Sequence, residues 1–421
     1  MKKIFLHTIM VALSLLGTLS INAEERTFTV DGIERYYQIF YPKEYSVTNE
    51  TPYDLLFIMH PNGFTVDDFV SISNPQAISD INNVIVVYPQ ALDEQNEEIQ
   101  KLFSTLATAG IDVSGFAIAA VWNSGASVST DFLKELAGNY GAMLSLLIPN
   151  TMSKGKMVFN ENVDDVKFID ELVNALVANE NANKDGLYMV GASMGGAMTY
   201  RYAFSGGNPV KGIAVVNGFV GKEIAIPEKI TFPICVFHSA ADSTVKYNGG
   251  PINEGIETTV QTFVKSSGFN GESKVMPIED IAADGNTIEK TIYDDGTHPK
   301  IHLFKSDNAT HADIFVSDYV SGPNDIDHIF ECGRFFWGDK FGLDVEDIES
   351  EQVIALSPNP ALDYINVSEI GEYEIFTSQG ALILKGICDG TPICVSSLLS
   401  GNYVVKVITA KGVKVGKLIK K

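Results

Sequence analysis

The 421-residue sequence is short of basic residues and of cysteine, and it has no long apolar run beyond its N-terminal end. Its 30 Lys and Arg are outnumbered by 53 Asp and Glu, which sets the formal net charge at -23. Such a surface repels a phosphate backbone, so nucleic acid is not expected as a partner. The lack of a second long apolar run argues against a protein that spans the membrane several times.

The sequence does contain enough apolar side chains for a core, since 45% of its residues are hydrophobic. Its length allows two or three domains. Residues 352–421 carry seven Lys against five acidic residues, whereas the stretch just before them, 344–351, is strongly acidic. A charge step of this kind predicts a linker at 343–351 between a large domain, 24–342, and a separate C-terminal domain, 352–421.

The N-terminus has the pattern of a secretory signal peptide. Lys2 and Lys3 precede an apolar run from residue 4 to about residue 19, and the small-residue exit ends at Ala23. The run is short for a spanning helix and lacks a basic flank, which disfavours a membrane anchor. We therefore expect residues 1–23 to be removed on export, so that the mature chain starts at Glu24.

The cysteines do not decide function. Cys235 lies in a strand-like run and is expected to be a buried thiol. Four cysteines in an exported protein allow three pairings, and a bond between Cys388 and Cys394 in the tail stays open.

Strand-like and helix-like patterns alternate through the large domain. Residues 55–59 and 84–88 are apolar throughout, as strands are in a parallel sheet that is buried on both faces. The alternation predicts an α/β fold with a mostly parallel sheet and helices on both faces, and an irregular insertion over the sheet edge at 90–160. The tail reads as short β runs with glycine turns, which predicts a small all-β sandwich. The predicted strands are 27–30, 35–41, 55–59, 84–88, 187–190, 212–216, 234–237 and 301–304, and the predicted helices are 163–176, 257–265, 326–337 and one from about 194.

One glycine-rich string stands between a strand and a helix. Gly191-Ala192-Ser193-Met194-Gly195-Gly196 contains the pattern G-x-S-x-G. In a nucleophile elbow the strand turns so sharply into the helix that a Cβ would collide, and the serine hydroxyl is left at the carboxyl edge of the sheet. The alternative is an ordinary turn with a capping serine. The flanking pattern favours the elbow, with Ser193 as nucleophile.

A serine nucleophile needs a base, and the base needs an acid to orient it. In this architecture the chain order is serine, acid, histidine. Asp242 comes just after the strand 234–237, where a loop would present it beside the elbow. A turn cap is the alternative role for Asp242.

Four histidines follow the acid, and His311 is the best candidate for the base. His302 falls within a strand and His328 on a helix, whereas His311 follows the strand 301–304 and lies in a loop at the carboxyl edge. His298 is the fourth, and it precedes that strand.

The oxyanion of an acyl-transfer reaction needs backbone donors that are already in place. One is expected from the amide of Met194, at the head of the helix. The other should come from the loop after strand 55–59, which reads His60-Pro61-Asn62-Gly63. Proline has no N–H, so Asn62 is the predicted second donor, with a plain turn as the alternative.

With these residues in place, residues 27–341 resemble the secreted α/β-hydrolases of the feruloyl esterase, acetylxylan esterase and polyhydroxybutyrate depolymerase group, akin to carbohydrate esterase family 1. The resemblance implies an α/β-hydrolase fold and a serine esterase without metal or cofactor, with Ser193, Asp242 and His311 in the roles argued above. The strings that carry the likeness are 37–41, 56–60, Trp122-Asn123-Ser124-Gly125, 163–169, the elbow, the Asp242 loop and His311.

Two departures from the family pattern lie at the rim of the site. Members usually show His-Gly where this chain has His60-Pro61, and Gly-Gly-His followed by Trp-Pro where it has residues 309–313. Both weaken inference about the substrate from relatives. His60 and Trp122 are candidate substrate-binding residues, although Trp122 fits a core position equally well.

The last 70 or so residues resemble the C-terminal sorting domain of type IX secretion substrates. The strings that carry this likeness are 357–361, Gly380, 398–403 and the basic end 417–421. It implies export by the type IX machinery, with the tail removed and the protein released or attached at the outer cell surface. An ordinary carbohydrate-binding domain is the alternative, and it is disfavoured because the tail has no tryptophan.

These observations predict a secreted serine esterase that removes feruloyl or acetyl groups from plant polysaccharide. A polyester depolymerase is the nearest alternative, because the same chemistry serves. A secreted peptidase and a hydrolase-like surface protein that binds without turnover are the remaining hypotheses.

Overall fold

A computed structural model of the chain describes residues 23–73, 75–113, 118–278, 280, 285–312, 326–338, 354–377, 382–396, 398, 401–409 and 412–421. The predicted signal peptide, apart from Ala23, and the predicted linker 343–351 lie outside the described residues, as do Gly380 and Asp313. No helix in the described ranges has the length and apolar character needed to cross a membrane.

The large N-terminal unit, residues 23–338, alternates strands and helices as its apolar pattern predicts. Its strands are β1 Ala23–Val30, β2 Ile33–Phe40, β3 Tyr53–Met59, β4 Ile85–Pro89, β5 Ser127–Ser129, β6 Lys156–Val158, β7 Ala182–Ala192, β8 Val210–Val216, β9 Ile234–Ser239, β10 Lys274–Ile278, β11 Ile288–Tyr293 and β12 Ile301–Ser306. Its helices are α1 Val66–Ser73, α2 Pro75–Asn82, α3 Glu97–Thr108, α4 Thr130–Ala137, α5 Leu144–Leu147, α6 Pro149–Lys154, α7 Asp165–Asn179, α8 Met194–Ser205, α9 Ile256–Ser267 and α10 His328–Trp337, with a 3₁₀ segment at Gly138–Met143.

Ten of these strands form one sheet in the order β1-β2-β4-β3-β7-β8-β9-β12-β11-β10. The six strands from β4 to β12 in that order pair in parallel. The antiparallel pairs lie at the two sides of the sheet. Because parallel strands all end at the same edge, the loops after β3, β7, β9 and β12 meet there. The predicted α/β-hydrolase fold, with a mostly parallel sheet, is confirmed.

The continuous apolar strands are buried on both faces. In β3, Leu55, Phe57 and Met59 belong to one core, and Leu56 and Ile58 belong to the other. Side chains alternate across a strand, so both faces need a cover of apolar residues. Helices α7 and α8 supply the cover on the first face, and α1, α2 and α10 supply it on the second.

Two regions differ from the sequence-based expectation. The segment 90–160 is mostly helical, and the apolar side of α3, with Ile99, Leu102 and Leu106, packs into the first core rather than only over an edge. The hairpin β10–β11 was not predicted. Most of its residues are partly or fully exposed, so it lacks the apolar run that identified the central strands.

The C-terminal residues 354–421 form two small antiparallel sheets around an apolar core of their own, as the predicted β-sandwich requires. The strands are β13 Leu356–Ser357, β14 Tyr364–Val367, β15 Gly371–Thr377, β16 Leu382–Cys388, β17 Ile393–Cys394, β18 Gly401–Thr409 and β19 Gly412–Lys420. The possible Cys388–Cys394 bond does not form, because Cys388 is buried and its Sγ donates to the Glu369 carbonyl, while Cys394 is exposed. Cys235 is a buried free thiol, as expected.

Candidate active site

Ser193 stands at the junction of β7 and α8 in a backbone conformation that side chains rarely adopt. Its φ is 52° and its ψ is -118°. Its N–H donates to the Val216 carbonyl of the neighbouring strand at 2.9 Å. A non-glycine residue in this region is strained and persists only where the surroundings hold it. The strand-to-helix turn is therefore as sharp as a nucleophile elbow requires.

The glycines around Ser193 are needed because backbones meet there. A Cβ at Gly191 would collide with the carbonyl of Gly195, the second residue of α8. A Cβ at Gly195 would collide with the carbonyls of Met59 and His60 at the end of β3. The helix start is thus packed directly against the loop that contains Asn62.

The structure brings Ser193, His311 and Asp242 together across the carboxyl edge of the sheet. Nδ1 of His311 donates to Oδ2 of Asp242 at 2.6 Å. Nε2 of His311 is then an acceptor, and it lies 2.8 Å from the Ser193 hydroxyl. These contacts join side chains 69 and 118 positions apart in the chain.

Asp242 is held as an acceptor for His311. Its Oδ1 accepts from the amides of Thr244 and Val245, each at 2.8 Å, in a tight turn after β9. Its side chain is fully buried, whereas that of His311 is 19% exposed. A buried carboxylate with these donors has one free oxygen to offer, and that oxygen faces the imidazole.

His238 lies beside Asp242, and sequence reasoning assigned no role to it. Its Nε2 donates to the Val245 carbonyl at 2.7 Å and lies 3.6 Å from Oδ2 of Asp242. Burial lowers the pKa of His238 to about 4, so it is neutral at pH 7. It therefore supports the Asp242 turn without adding a positive charge beside the acid. His238 is the penultimate residue of β9, four positions before Asp242, and this proximity was the one sequence signal for it.

The two predicted oxyanion donors sit on adjoining segments. Met194 is the first residue of α8, and N–H groups of the first turn have no acceptor within the helix. Asn62 lies in a turn closed by a bond from Phe64 N–H to the Pro61 carbonyl at 3.3 Å. Because that loop packs against the start of α8, both amides belong to the same corner of the site. Their function as donors remains a prediction.

His60 and Trp122 are placed differently from the expectation of substrate contact. Both side chains are fully buried. The rings pack with centroids 5.0 Å apart, and Nε1 of Trp122 donates to the His60 carbonyl at 3.0 Å. Nε2 of His60 accepts from the Ala91 amide at 3.0 Å. The His60 and Trp122 side chains support the loop that contains Asn62 from the protein interior, and neither reaches the surface where a substrate would bind.

The buried imidazole of His60 is neutral like that of His238, because burial lowers its pKa to about 4. In the described part of the chain no group of three or more His, Cys, Asp or Glu side chains has an arrangement that could hold a metal ion.

Residues 355–421 match the family described as "Secretion system C-terminal sorting domain". The match confirms the predicted sorting domain, and with it export by the type IX route to the extracellular space or the outer surface. No curated protein matches the chain in sequence.

Several solved structures are similar to this chain at low identity. Acetyl xylan esterase from Aspergillus awamori is 12% identical, with a TM-score of 0.42, over 69% of this chain and 93% of its own. The apo form of Thermogutta terrifontis esterase 2 is 10% identical, with a TM-score of 0.40, over 74% and 91%. An arylesterase is 10% identical, with a TM-score of 0.38, over 76% and 84%. Likeness at this distance assigns no activity, so the function is argued from the site itself.

Proposed function

We propose that the N-terminal unit is a serine esterase with Ser193 as nucleophile, His311 as general base and Asp242 as the acid that orients the base. The hydrogen-bonded chain from Oδ2 of Asp242 through the imidazole to Oγ of Ser193, at 2.6 and 2.8 Å, carries this proposal. The strained elbow at Ser193 supports it, because such strain clusters at functional sites.

In the proposed reaction Oγ of Ser193 attacks the ester carbonyl while Nε2 of His311 takes the hydroxyl proton. The carbonyl oxygen becomes an oxyanion, which accepts from the amides of Met194 and Asn62. As the tetrahedral intermediate collapses, His311 returns the proton to the leaving alcohol and an acyl-enzyme forms. Water, activated by His311, then releases the acid and restores Ser193. Apart from the ester and the hydrolytic water, the steps use side chains and amides of this chain.

The substrate class that we propose is an acyl ester, feruloyl or acetyl, on plant polysaccharide. Export supports a substrate outside the cell, and polymers are too large to be taken up intact. An ester is favoured over an amide because its alcohol leaves more readily, whereas an amine must be protonated as it leaves. The same chemistry would hydrolyse an extracellular polyester. Assays on both kinds of polymer are therefore needed to distinguish the two substrate classes.

A fluorophosphonate probe and a matched pair of serine variants test the proposal. The probe should label wild type and Ser73→Ala but not Ser193→Ala. Ser73 is the control because it is a buried serine, bonded to Phe69 and Tyr88, outside the site. Ser193→Ala should lose at least about 10⁴-fold in kcat on p-nitrophenyl acetate.

A Ser193→Ala enzyme as active as wild type would end the proposal. Failure of the probe to label the wild type would favour a surface protein that binds without turnover. Methyl ferulate, acetylated xylan and hydroxybutyrate oligomers, assayed side by side, then separate the polysaccharide esterase from the polyester depolymerase.

A further inference from the structure

The end of β8 lies between the segments that supply the three proposed catalytic side chains. The Val216 carbonyl accepts from the Ser193 amide, which links β8 to the elbow. The next residue, Asn217, has its amide bonded to the Phe237 carbonyl of β9 at 2.8 Å. A Cβ on Gly218 would lie 3.1 Å from the Ser193 carbonyl, so this backbone also passes close to the elbow.

Asn217 bonds two further segments through its side chain. Its Oδ1 accepts from the Ser239 amide at 3.2 Å, at the start of the loop that holds Asp242. Its Nδ2 donates to the His311 carbonyl at 3.0 Å. The residue is fully buried. One amide group therefore joins the acid loop to the histidine residue itself.

The backbone conformation of Asn217 explains why the residue is asparagine. Its φ is 46°, in the left-handed region, which asparagine tolerates better than most residues. Aspartate would keep the acceptor for Ser239 and lose the donor for His311, and glycine would keep the backbone and lose both. Of glycine, asparagine and aspartate, which visit this region most readily, only asparagine provides a donor and an acceptor at once.

The His311 ring has little positional freedom, because it must hydrogen-bond to Asp242 and Ser193 at the same time. Displacement of the ring by about 1 Å lengthens the bond to Ser193 or to Asp242 beyond hydrogen-bond range, and misplacement on that scale can cost about 10²-fold in rate. The bond from Asn217 acts on the backbone of His311, so it fixes where the side chain begins.

We propose that Asn217 is a positioning residue that ties the histidine loop to the acid loop and thereby keeps the His311 imidazole within reach of both partners. This inference rests on the proposed function, since it assigns a role within the same site. Asn217 touches no substrate and takes no proton.

A matched control exists at Asn181. That residue also has a left-handed φ, 51°, and its Nδ2 donates to the Asn49 carbonyl at 2.9 Å, on the exposed surface before β7. Asn181→Gly therefore removes the same kind of bond from the same kind of backbone, without touching the site. Glycine adopts positive φ freely, so both variants should keep the main-chain path.

The expected result is that Asn217→Gly lowers kcat about 10²-fold with KM nearly unchanged, whereas Asn181→Gly keeps the wild-type kcat. The loss should fall on kcat rather than on KM, because displacement of His311 impairs proton transfer and leaves the substrate-binding surface unchanged. A role in stability alone would leave the kcat of the folded enzyme unchanged.

The low-field NMR signal of the His311 Nδ1 proton provides a readout that needs no turnover. It should be present in wild type and in Ser193→Ala, and lost or broadened in folded Asn217→Gly. If Asn217→Gly keeps both this signal and the wild-type kcat, the inference is overturned. If the signal behaves as expected but wild type hydrolyses no ester and binds no probe, the positioning role stands and the proposed function fails.

Discussion

The two parts of the chain differ in what they bury. The N-terminal unit buries many polar side chains, including His60, His238, Asp242 and Asn217. In the described residues of the sorting domain the one buried polar side chain is Lys420, and the core is aliphatic, with a few aromatic and thiol groups. Burial of a polar group costs free energy unless it is paired. The N-terminal unit bears that cost at the proposed active site, whereas a domain that serves as a sorting signal needs only a stable surface.

The ion pairs of the two regions also differ in burial. Arg35 and Asp165 pair at 2.7 Å with side chains only 3% and 0% exposed, and the guanidinium also lies over the Phe168 ring. In the sorting domain, Lys406 and Glu374 pair at 2.8 Å across neighbouring strands with about a third of each side chain exposed. The comparison predicts that pH and single substitutions act strongly on one region and weakly on the other.

The largest expected difference is in response to acid. Burial lowers the pKa of His60 and His238 to about 4, and that of His302 and His328 to about 3. Their folded-state pKa lies below the unfolded value, so protonation of these histidines costs no unfolding free energy above pH 6.5. The free energy of unfolding then falls as the pH drops from 6.5 toward 4. His60 and His238 together should then cost about 6 kcal/mol at pH 4.

No histidine lies in residues 352–421, so the sorting domain should keep its structure through this acid range. Both tryptophans, Trp122 and Trp337, belong to the N-terminal unit, and their fluorescence reports its unfolding alone. Proteolysis of the same samples, followed by mass spectrometry, reports on the sorting domain. If both regions lost their structure at the same pH, the expected difference in acid stability would be wrong. His60→Gln should make the fluorescence transition less steep.

Asp242→Asn should lower kcat about 10⁴-fold, equivalent to about 5 kcal/mol. The amide would still accept from Thr244 and Val245, but its NH₂ group would favour the imidazole tautomer that cannot accept the serine proton. The assay is hydrolysis of p-nitrophenyl acetate. The control is Asp295→Asn, which alters an exposed pair with His298 at 2.8 Å and should leave kcat unchanged. Equal activity of the two variants would contradict the assignment of Asp242.

Asp165→Ala should cost about 3–5 kcal/mol of unfolding free energy, because it leaves Arg35 buried without its partner. The substitution also removes the acceptor for the Asn123 amide, at 2.7 Å. Urea denaturation followed by tryptophan fluorescence measures the loss. A cost below about 1 kcal/mol would mean that water reaches Arg35 and that this pair behaves like a surface pair.

Glu374→Gln, in the sorting domain, should change unfolding free energy by less than about 1 kcal/mol, since partly exposed pairs contribute little. Far-ultraviolet circular dichroism of the full chain, with the sorting domain retained, at low and high salt would measure it. A larger loss, removed by salt, would show that the sorting domain also depends on its ion pairs.

Much of the fold and part of the site could be predicted from sequence. The strands around 55–59 and 84–88 were recognisable because a strand buried on both faces must be apolar at every position. Ser193 was recognisable because the glycines that its turn needs are its neighbours in sequence. His311 was found through the order of elements, since loops after parallel strands reach the same edge.

Other residues could not be assigned in this way. Asn217 and His238 follow or end strands as many residues do, and their partners are remote in sequence. His60 and Trp122 looked like pocket residues because they lie near the site in the chain, but both side chains point into the core. The hairpin β10–β11 was not predicted, because its strands are largely exposed and therefore lack a continuous apolar run.

Patterns along the chain were enough to predict the properties that depend on neighbouring residues: apolar strands, a glycine-lined turn around a serine, a charge step before the tail and a recognisable sorting domain. Tertiary structure decided which polar atoms face each other. Hydrogen bonds act over about 3 Å, whereas the residues that they join here are separated by tens of positions in the chain. Their partners are therefore set only when the sheet brings its strand ends together.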